Sequence, residues 1–305
     1  MFVVNIILDI PLRHGYSYLS EQELLRGTRV RVELRGRAQV GFVLNCVAST
    51  EFNNYPLAKL KPILSISTDN LSIPNDVWEL CNFAANYYHH PLGNSLFCAI
   101  PTLLRKTTEP TANFNQTKFY QLINHEAKLR GSKQQHLLTE FQHTAILSYK
   151  QIQVILAAKP DKLIAQWIEK QIIYETPAPS AASVTQALTL NEEQQLVVTA
   201  IASNFNTFHV GLLYGITGSG KTEVFLHLIQ RILHQQQQVL VIVPEINLTP
   251  QLQSRFEQRF PAAKISLINS EIAEKARFHA WMAAKSGQSN IILGTRLSVF
   301  TPLYN

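Results

Sequence analysis

The first 105 residues carry the hydrophobic pattern of a small sheet followed by a helix. Three β-branched or alternating runs predict strands, at Val3–Asp9, Arg29–Leu34 and Val40–Val47. Arg35-Gly36-Arg37 separates the last two runs in the manner of a hairpin turn. A helical pattern then begins at Pro74 and is broken at His89. We therefore predict a β-rich α+β domain over residues 1–105.

The middle of the chain changes to short helical patterns. Three of them follow one another, at Ser132–Phe141, Ser148–Ala157 and Asp161–Lys170. Ser148 with Gln151 three residues on matches a capping box. A β-like run, Ile172–Tyr174, follows the third helix. Three helices and a strand resemble a winged helix, so residues 113–178 are predicted to be a winged-helix-like module.

Strand and helix patterns alternate over residues 190–305. They occur in the order helix Glu192–Asn204, strand Phe208–Tyr214, helix Thr222–His234, strand Val239–Val243, helix Thr249–Phe260, strand Lys264–Ile268, helix Ala273–Ala284 and strand Asn290–Leu293. This alternation predicts a parallel sheet with right-handed crossovers. A segment rich in Pro, Ala, Ser and Thr, Thr176–Ala187, has the composition of a linker before this α/β lobe. The whole chain is thus expected to be multidomain.

Composition adds a mild preference for nucleic acid and disfavours secretion and membranes. Lys and Arg number 27 against 21 Asp and Glu, and residues 113–178, with eight basic and five acidic residues, are the most basic segment. Cys46, Cys81 and Cys98 are widely spaced and predict reduced thiols in a cytosolic protein. The longest apolar runs fall far short of the roughly 20 residues that span a bilayer. The N-terminus lacks the basic region of a signal peptide.

Residues 215–222 carry the strongest chemical signal. Gly215-Ile216-Thr217-Gly218-Ser219-Gly220-Lys221-Thr222 fits G-x-x-x-x-G-K-[ST] between an apolar strand pattern and a helix. In such a loop, Lys221 reaches the β- and γ-phosphates and the Thr222 hydroxyl holds Mg²⁺. A Gly-rich turn that merely joins two elements does not account for the lysine and the threonine. We predict a nucleotide site formed by Gly215, Thr217, Gly218, Ser219, Gly220, Lys221, Thr222 and Glu223.

Two further loops follow predicted strands of the same lobe. Pro244–Gln251 and Gly294–Phe300 each lie at the carboxyl end of a parallel strand, where doubly wound sheets place ligand loops. The first also reads as a helix start, with Thr249 as N-cap. The second also reads as an ordinary turn with a solvated Arg296. The residues alone leave both interpretations open.

Taken together, these segments resemble one protein family. GITGSGKTEVF, VPEINLTPQ and GTRLSVFTP are similar to the first, RecA-like helicase lobe of the primosomal protein N′ family, which are bacterial replication-restart DNA helicases of superfamily 2. PLRHGYSYL, GTRVRVELRG, LKPIL and NYYHHPLGNSLFCAIPTLLR resemble that family's DNA-binding domain in order and spacing. The resemblance implies a cytoplasmic, monomeric, ATP- and Mg²⁺-dependent 3′→5′ helicase. Its implied partners are forked and single-stranded DNA, primosome proteins and single-strand-binding protein.

The resemblance also implies a pocket for the 3′ end of a nascent strand. Its matching positions are Tyr16, Ser17, Gly36 and Lys61. Ser17 replaces an acidic residue of the family pattern and accepts a hydrogen bond from a 3′ hydroxyl more weakly, so reduced 3′-end selectivity is expected. Alternatively, Tyr16 and Tyr18 are strand residues whose rings pack in a small β core. His89 and His90 are expected to end a helix rather than to bind a metal.

In the helicase lobe, Gln194 matches the family's adenine-reading glutamine. It equally completes a capping box with Asn191, and both interpretations stand. The resemblance makes three residues candidate contacts to single-stranded DNA: Thr249, Thr295 and Arg296. Asn269-Ser270-Glu271-Ile272 stands where the family has His-Ser-Gly-Leu, a change expected to weaken strand contact there.

The winged-helix-like module is expected to contact duplex DNA through basic residues, with solvated surface side chains as the alternative. The candidates are Lys128, Arg130, Lys133 and Lys150. The family's Asp-Glu-x-His motif, cysteine-rich zinc module and second lobe fall outside these 305 residues. We therefore expect no zinc site in this chain, with zinc confined to the family's C-terminal part, and little ATP hydrolysis. A fork-binding module without catalysis and another P-loop DNA translocase remain the alternative functions.

Overall fold

A computed structural model describes residues 1–12, 14–54, 56–68, 71–110, 118–125, 131–144, 146–176 and 188–304. These residues form two compact units. The first combines Met1–Ala112, Gln237–Arg255 and Lys264–Asn305, and the second combines Asn113–Gln236 and Phe256–Ala263. Within the described ranges, none of the helices has the length and apolar content needed to cross a membrane.

Strands and helices occur throughout both units. The strands are β1 Phe2–Leu8, β2 Tyr16–Ser20, β3 Arg29–Leu34, β4 Arg37–Ala48, β5 Ser65–Ile66, β6 Phe119–Leu122, β7 Ile146–Ser148, β8 Ile173–Thr176, β9 Val239–Ile242, β10 Ile265–Ile268 and β11 Ile291–Gly294. The α-helices are α1 Asn75–Tyr87, α2 Leu92–Ala99, α3 Thr102–Arg105, α4 Ser132–Thr144, α5 Tyr149–Leu156, α6 Asp161–Glu169, α7 Glu192–Ala202, α8 Lys221–His234, α9 Thr249–Arg259 and α10 Glu274–Lys285.

An antiparallel sheet of order β2-β1-β4-β3-β5 forms the N-terminal part of the first unit. The predicted hairpin is confirmed. Arg35 and Gly36 both have positive φ, 51° and 76°, as the two central residues of a tight hairpin turn of this twist require. Val30 and Val32 are fully buried, so one face of β3 packs into the core while its polar residues face the other way.

The three helices α1 to α3 cover this part of the chain. α1 ends in a Schellman motif: the His89 amide donates to Asn86 O, and the His90 amide donates to Ala85 O. His89 has φ 53°, the left-handed position that closes such helix ends. The expected helix-end role of these histidines is therefore confirmed. Gly93 lets α2 approach β1, because a Cβ there would lie 2.3 Å from Leu8 O.

Arg29 is a buried charge inside this domain. Its side chain is 0% exposed. The guanidinium donates to Leu104 O, to Ser67 Oγ and to Lys106 O. Burial lowers the pKa of the Arg29 guanidinium, and the carbonyl acceptors compensate part of the lost hydration. Arg29 thus ties β3 to the chain that follows α3.

A parallel sheet of order β10-β11-β9 completes the first unit. The expected parallel pairing is confirmed for these three strands. α10 packs on this sheet and on α3, where Arg277 donates to Thr102 Oγ1 at 2.8 Å. At the other end of α10, Lys285 donates to Ser72 O at 2.7 Å.

The second unit holds α4, α5 and α6 on a small antiparallel sheet with β6 in the middle, of order β7-β6-β8. Phe141 and Trp167 form its core, with ring centroids 6.3 Å apart. The capping box predicted at Ser148 and Gln151 is present. α7 and α8 pack through Val198, Val224 and Leu228 in a separate cluster.

The strand predicted at Phe208–Tyr214 is wrong. These residues have no regular secondary structure, and Phe208, Leu212 and Tyr214 are 96%, 90% and 91% exposed. A strand needs a hydrogen-bonded neighbour. Nothing in the described part of the chain pairs with this segment. Its alternating apolar side chains are therefore exposed to solvent.

Candidate nucleotide and DNA sites

The Gly-rich loop before α8 has the backbone geometry of an anion site. Gly218 and Gly220 have φ 86° and 81°, which side-chain-bearing residues rarely adopt. Gly220 is the N-cap of α8, and no side chain caps the helix. The first amides of α8 therefore remain able to bind a phosphate, and the helix dipole favours negative charge at that end.

Lys221 folds back over the loop. Its Nζ donates to Gly215 O at 2.7 Å and to Ile216 O at 2.8 Å. The ammonium thus lies within the same loop as the glycines, as the motif predicts. A phosphate that binds here exchanges these two carbonyl bonds for charge-assisted bonds to its own oxygens.

Gln194 has its predicted capping role, while its contact with adenine stays a prediction. Asn191 Oδ1 accepts from the Gln194 amide at 2.8 Å, and Gln194 Oε1 accepts from the Asn191 amide, which completes the capping box. The same side chain also donates through Nε2 to Ser219 O at 3.2 Å. A Cβ on Gly220 would lie 2.4 Å from that Nε2 atom. The start of α7 is therefore fixed against the phosphate loop.

A buried ion pair below the loop is a feature that motif reasoning missed. Glu223 Oε1 lies 3.1 Å from Arg259 Nη2 and 3.4 Å from His227 Nε2. Arg259 is 3% exposed at its side chain. Glu223, predicted as part of the nucleotide site, thus directs its carboxylate to Arg259, and it orients the first turn of α8. The only signal in the sequence was the Glu223–His227 spacing of four residues on a helix.

The two loops after β9 and β11 differ in exposure. Thr249 has helical dihedrals and is 2% exposed, and its Oγ1 has no hydrogen-bond partner within the described ranges. Its predicted N-cap role is therefore wrong. Thr295 O accepts from the Ser298 amide at 2.8 Å, and Arg296 is exposed at the start of the 3₁₀ helix Arg296–Phe300. Gly294 is required there, since a Cβ would lie 2.6 Å from Ser298 Oγ.

The loop that departs from the family pattern is closed by its own side chain. Asn269 Oδ1 accepts from the amides of Glu271 and Ile272, at 3.0 and 3.1 Å. Asn269 is largely buried, so its side chain serves the turn.

Of the predicted 3′-end residues, Tyr16 and Ser17 lie on β2, while Gly36 and Lys61 lie at or near the β3–β4 hairpin. Ser17 is paired with Asn5 across β1 and β2, while the Lys61 carbonyl accepts from the Leu19 amide at 2.9 Å. Gly36 lies at the tip of the hairpin. Lys61 reaches toward it, because its Nζ lies 2.5 Å from Glu33 Oε1 near the end of β3. The fold thus brings residues from three separate segments to one end of the sheet.

The two tyrosines of β2 divide between core and surface. Tyr18 is 4% exposed and donates to Glu33 O at 3.0 Å, which confirms its alternative role as a core aromatic. Burial raises the pKa of the Tyr18 hydroxyl. Tyr16 is half-buried against the same cluster. Part of its ring therefore remains accessible.

Two further polar groups at this end of the sheet were not predicted. Glu33 supplies a carboxylate that forms the ion pair with Lys61. Asn5 Oδ1 is buried and has no hydrogen-bond partner in the described part of the chain. Asn5 lies directly opposite Ser17, and its Oδ1 is packed against Gly15, where a Cβ would lie 2.1 Å from this oxygen. Neither residue belongs to a local motif, so only the strand register reveals them.

The basic residues of the three-helix module are only partly described. Lys133 Nζ donates to Leu156 O at the end of α5, at 3.2 Å. Lys128, Arg130 and the side chain of Lys150 lie outside the described residues. Across the described ranges, no group of three His, Cys, Asp or Glu side chains is placed to hold a metal ion.

The geometry defines a class of protein: an N-terminal DNA-binding domain followed by a helicase-type P-loop region. Residues 5–101 match the family model of the 3′DNA-binding domain (3′BD), and residues 187–305 match that of the type III restriction enzyme, res subunit. The replication restart protein PriA of Haemophilus influenzae is 32% identical over 324 aligned residues, covering 100% of this chain and 43% of that protein. The PriA of Chlamydia pneumoniae is 26% identical, covering 99% of this chain and 41% of that protein.

Over its whole length the chain is similar to replication restart proteins named PriA. It corresponds to the N-terminal part and spans about two fifths of the length of these relatives. A shorter match, to PriA of Bacillus subtilis, is 32% identical over 123 residues. The resemblance drawn from the motifs is therefore confirmed.

Proposed function

We propose that this chain is the N-terminal part of an ATP-dependent 3′→5′ DNA helicase that recognises stalled or branched forks and restarts replication. The observation that carries the proposal is the presence, in one chain, of a 3′DNA-binding-domain match and a complete phosphate loop. Primosome proteins and single-strand-binding protein are the partners that this function requires.

In this proposal the DNA-binding domain holds the 3′ end of a nascent strand. The half-buried ring of Tyr16 stacks on the terminal base, and Lys61 contacts a phosphate. Gly36, which carries no side chain at the hairpin tip, leaves room for the strand. The Ser17 hydroxyl accepts a hydrogen bond from the 3′ hydroxyl in place of a carboxylate. Neutral acceptors are weaker, so discrimination between a 3′ hydroxyl and a 3′ phosphate is modest.

ATP with Mg²⁺ fits the phosphate loop, since α8 has no side-chain cap and the positive φ of Gly218 and Gly220 lets the loop curl before the helix. Lys221 would contact the β- and γ-phosphates, and Thr222 would hold the metal ion. ATP supplies the phosphoryl-transfer energy that strand separation consumes. Gln194, whose Nε2 donates to Ser219 O at the edge of the loop, is the side chain that would hydrogen-bond to the adenine base.

Two other surfaces complete the proposal. Thr295 and Arg296 contact single-stranded DNA after β11, and Arg296 is the exposed charge of that loop. Thr249, which is buried, supports its loop and does not touch DNA directly. The three-helix module, proposed to be a winged helix, contacts duplex DNA through its basic residues. Residues 1–105, 113–178 and 190–305 are the proposed functional domains.

The experiment that tests the proposal compares two lysines near the 3′-end pocket. Lys59 and Lys61 are both exposed and lie two residues apart, so alanine at either position makes the same change in net charge. Fluorescence anisotropy with a forked DNA that carries a 3′ hydroxyl at its branch measures both variants. We expect Lys61→Ala to weaken binding about tenfold and Lys59→Ala by less than about threefold. Equal losses would show that only general charge matters and would refute the pocket.

A further inference from the structure

Three exposed aromatic rings gather at the end of α1. Phe83, Tyr87 and Tyr88 are 63%, 66% and 74% exposed. The rings of Phe83 and Tyr87 are stacked, with centroids 5.7 Å apart and an angle of 25° between their planes. Tyr88 meets Tyr87 edge-on at 4.9 Å. Val77 and Trp78 of α1 and Leu96 and Phe97 of α2 are buried, so these rings form a distinct apolar surface.

A cleft opens at the same end of α1. It has a volume of about 140 Å³ and is lined by Asn82, Ala85, Asn86, His89, His90 and Leu92. A dry engineered cavity of ~150 Å³ holds one benzene molecule, so this cleft has room for a single heterocyclic ring. Its lining supplies two amides and two imidazoles, which can donate and accept hydrogen bonds.

The end of α1 holds this surface in place. His89 is fixed by the Schellman motif in a left-handed conformation, and His90 Nδ1 lies 3.4 Å from Pro91 O. The backbone that carries both histidines is therefore set by main-chain hydrogen bonds. A ligand that binds between the rings and the cleft meets a formed surface.

The chemistry favours an unpaired base over a protein segment or a metal ion. Aromatic rings stack on every base, and the amides and imidazoles of the cleft can hydrogen-bond to base edges. No carboxylate lines the cleft to repel a phosphate backbone. An aliphatic protein segment would cover the two amides and two imidazoles of the cleft without giving them hydrogen-bond partners, which costs binding free energy. The two histidines without a carboxylate or thiol are a poor metal site.

We propose that Phe83, Tyr87, Tyr88 and the adjoining cleft, together called the aromatic face, bind an unpaired base of single-stranded DNA. The proposal rests on the proposed function for the class of ligand. It adds a contact on α1, apart from the pocket residues of β2, the β3–β4 hairpin and Lys61. A strand end held by that pocket would gain a second anchor from this face.

The test uses single substitutions in the full chain. Phe83→Ala and Tyr87→Ala remove a ring, Tyr87→Phe keeps it, and Leu25→Ala removes an exposed apolar side chain of the same domain that is 80% exposed. Binding is measured by anisotropy on a fork with a single-stranded arm. Stacking is measured by the quenching of 2-aminopurine fluorescence, with that base placed in turn at each position of the arm. Circular dichroism confirms that each variant is folded.

We expect each ring-to-alanine change to weaken fork binding about tenfold and to abolish quenching at one position of the arm. Tyr87→Phe and Leu25→Ala should behave as the wild type. If the wild type binds the fork and the alanine variants bind and quench as well as it does, the aromatic face is not a base site and a protein partner becomes its assignment. If the wild type does not bind the fork, the proposed function itself fails, and this proposal fails with it.

Discussion

Replacing Lys221 with alanine tests the nucleotide site through its one long cationic side chain. In the structure, the Lys221 ammonium makes two hydrogen bonds, to Gly215 O and Ile216 O. Nucleotide binding therefore exchanges two bonds to neutral carbonyls for bonds to charged phosphate oxygens. Lys221→Ala loses both sets of bonds. The variant therefore loses the part of the binding free energy by which the phosphate bonds exceed the carbonyl bonds.

The difference in hydrogen-bond free energy sets the expected loss of nucleotide affinity. Hydrogen bonds to charged groups contribute roughly 1.5–3 kcal/mol, and the Lys221 ammonium makes such bonds in both states. A bond to an anionic phosphate oxygen exceeds one to a neutral carbonyl oxygen by about 1 kcal/mol. Two exchanged bonds thus favour the nucleotide complex by about 2 kcal/mol in total, or about thirtyfold in affinity. Lys221→Ala should lower the affinity for Mg²⁺-ATP by about that factor.

Titration with a fluorescent ATP analogue measures this loss. Lys275→Ala, on the exposed surface of α10, is the matched control for the change in charge. The affinity for forked DNA should be unchanged in both variants if the proteins are folded. Equal nucleotide affinity of Lys221→Ala and the wild type would refute the assignment of the phosphate loop.

Three other predictions concern the DNA-binding domain. Arg29→Met should lower the free energy of unfolding by about 3 kcal/mol in urea titrations, because it leaves buried carbonyl groups without hydrogen-bond donors at roughly 1–3 kcal/mol each. Arg26, which forms an exposed ion pair with Glu79, is the control, and Arg26→Met should cost at most about 1 kcal/mol. Equal losses would contradict the structural role of the buried guanidinium. Glu33→Gln frees Lys61 from an exposed ion pair and should tighten fork binding about two- to fivefold by anisotropy, while weaker binding would make the carboxylate itself a DNA ligand. Ser17→Asp should increase the preference for a 3′ hydroxyl over a 3′ phosphate, since two negative groups repel, and an unchanged affinity ratio would move the pocket elsewhere.

Local chemistry was predictable from the sequence. The hairpin at Arg35-Gly36 and the capping boxes at Ser148 and Asn191 occur where the residue types predict them. Each depends on residues at most three positions apart, so the sequence alone contains the whole interaction. The phosphate loop belongs to the same class, because its eight consecutive residues define its own geometry.

Features that depend on distant partners were not predictable. Phe208–Tyr214 has the alternation of a strand, but a strand exists only with a paired neighbour. Arg29 reads as a polar strand residue, yet its acceptors Leu104 O and Lys106 O lie 75 and 77 positions away. Thr249 has the residue type of an N-cap, but a 3₁₀ turn before it gives it helical dihedrals. In each case tertiary structure overrode the local signal.

The candidate DNA pocket combines residues that could be located from the sequence with residues that only the tertiary structure reveals. Gly36 and Lys61 were located by resemblance, and the fold brings their segments to one end of the sheet. Glu33 and Asn5 reach the same end only through strand register and an ion pair. No pattern of consecutive residues points to either of them.

Photocrosslinking locates the 3′ end of the nascent strand on this domain. A forked DNA with 4-thiothymidine as the 3′-terminal nucleotide of its nascent strand is irradiated in complex with the full chain. The crosslinked peptide is then identified by mass spectrometry. We expect crosslinks within residues 14–20, at Tyr16 or Ser17, that are lost when the photoreactive base is moved about ten nucleotides from the 3′ end. Crosslinks that map outside residues 1–105, or that do not depend on the position of the base, would contradict it.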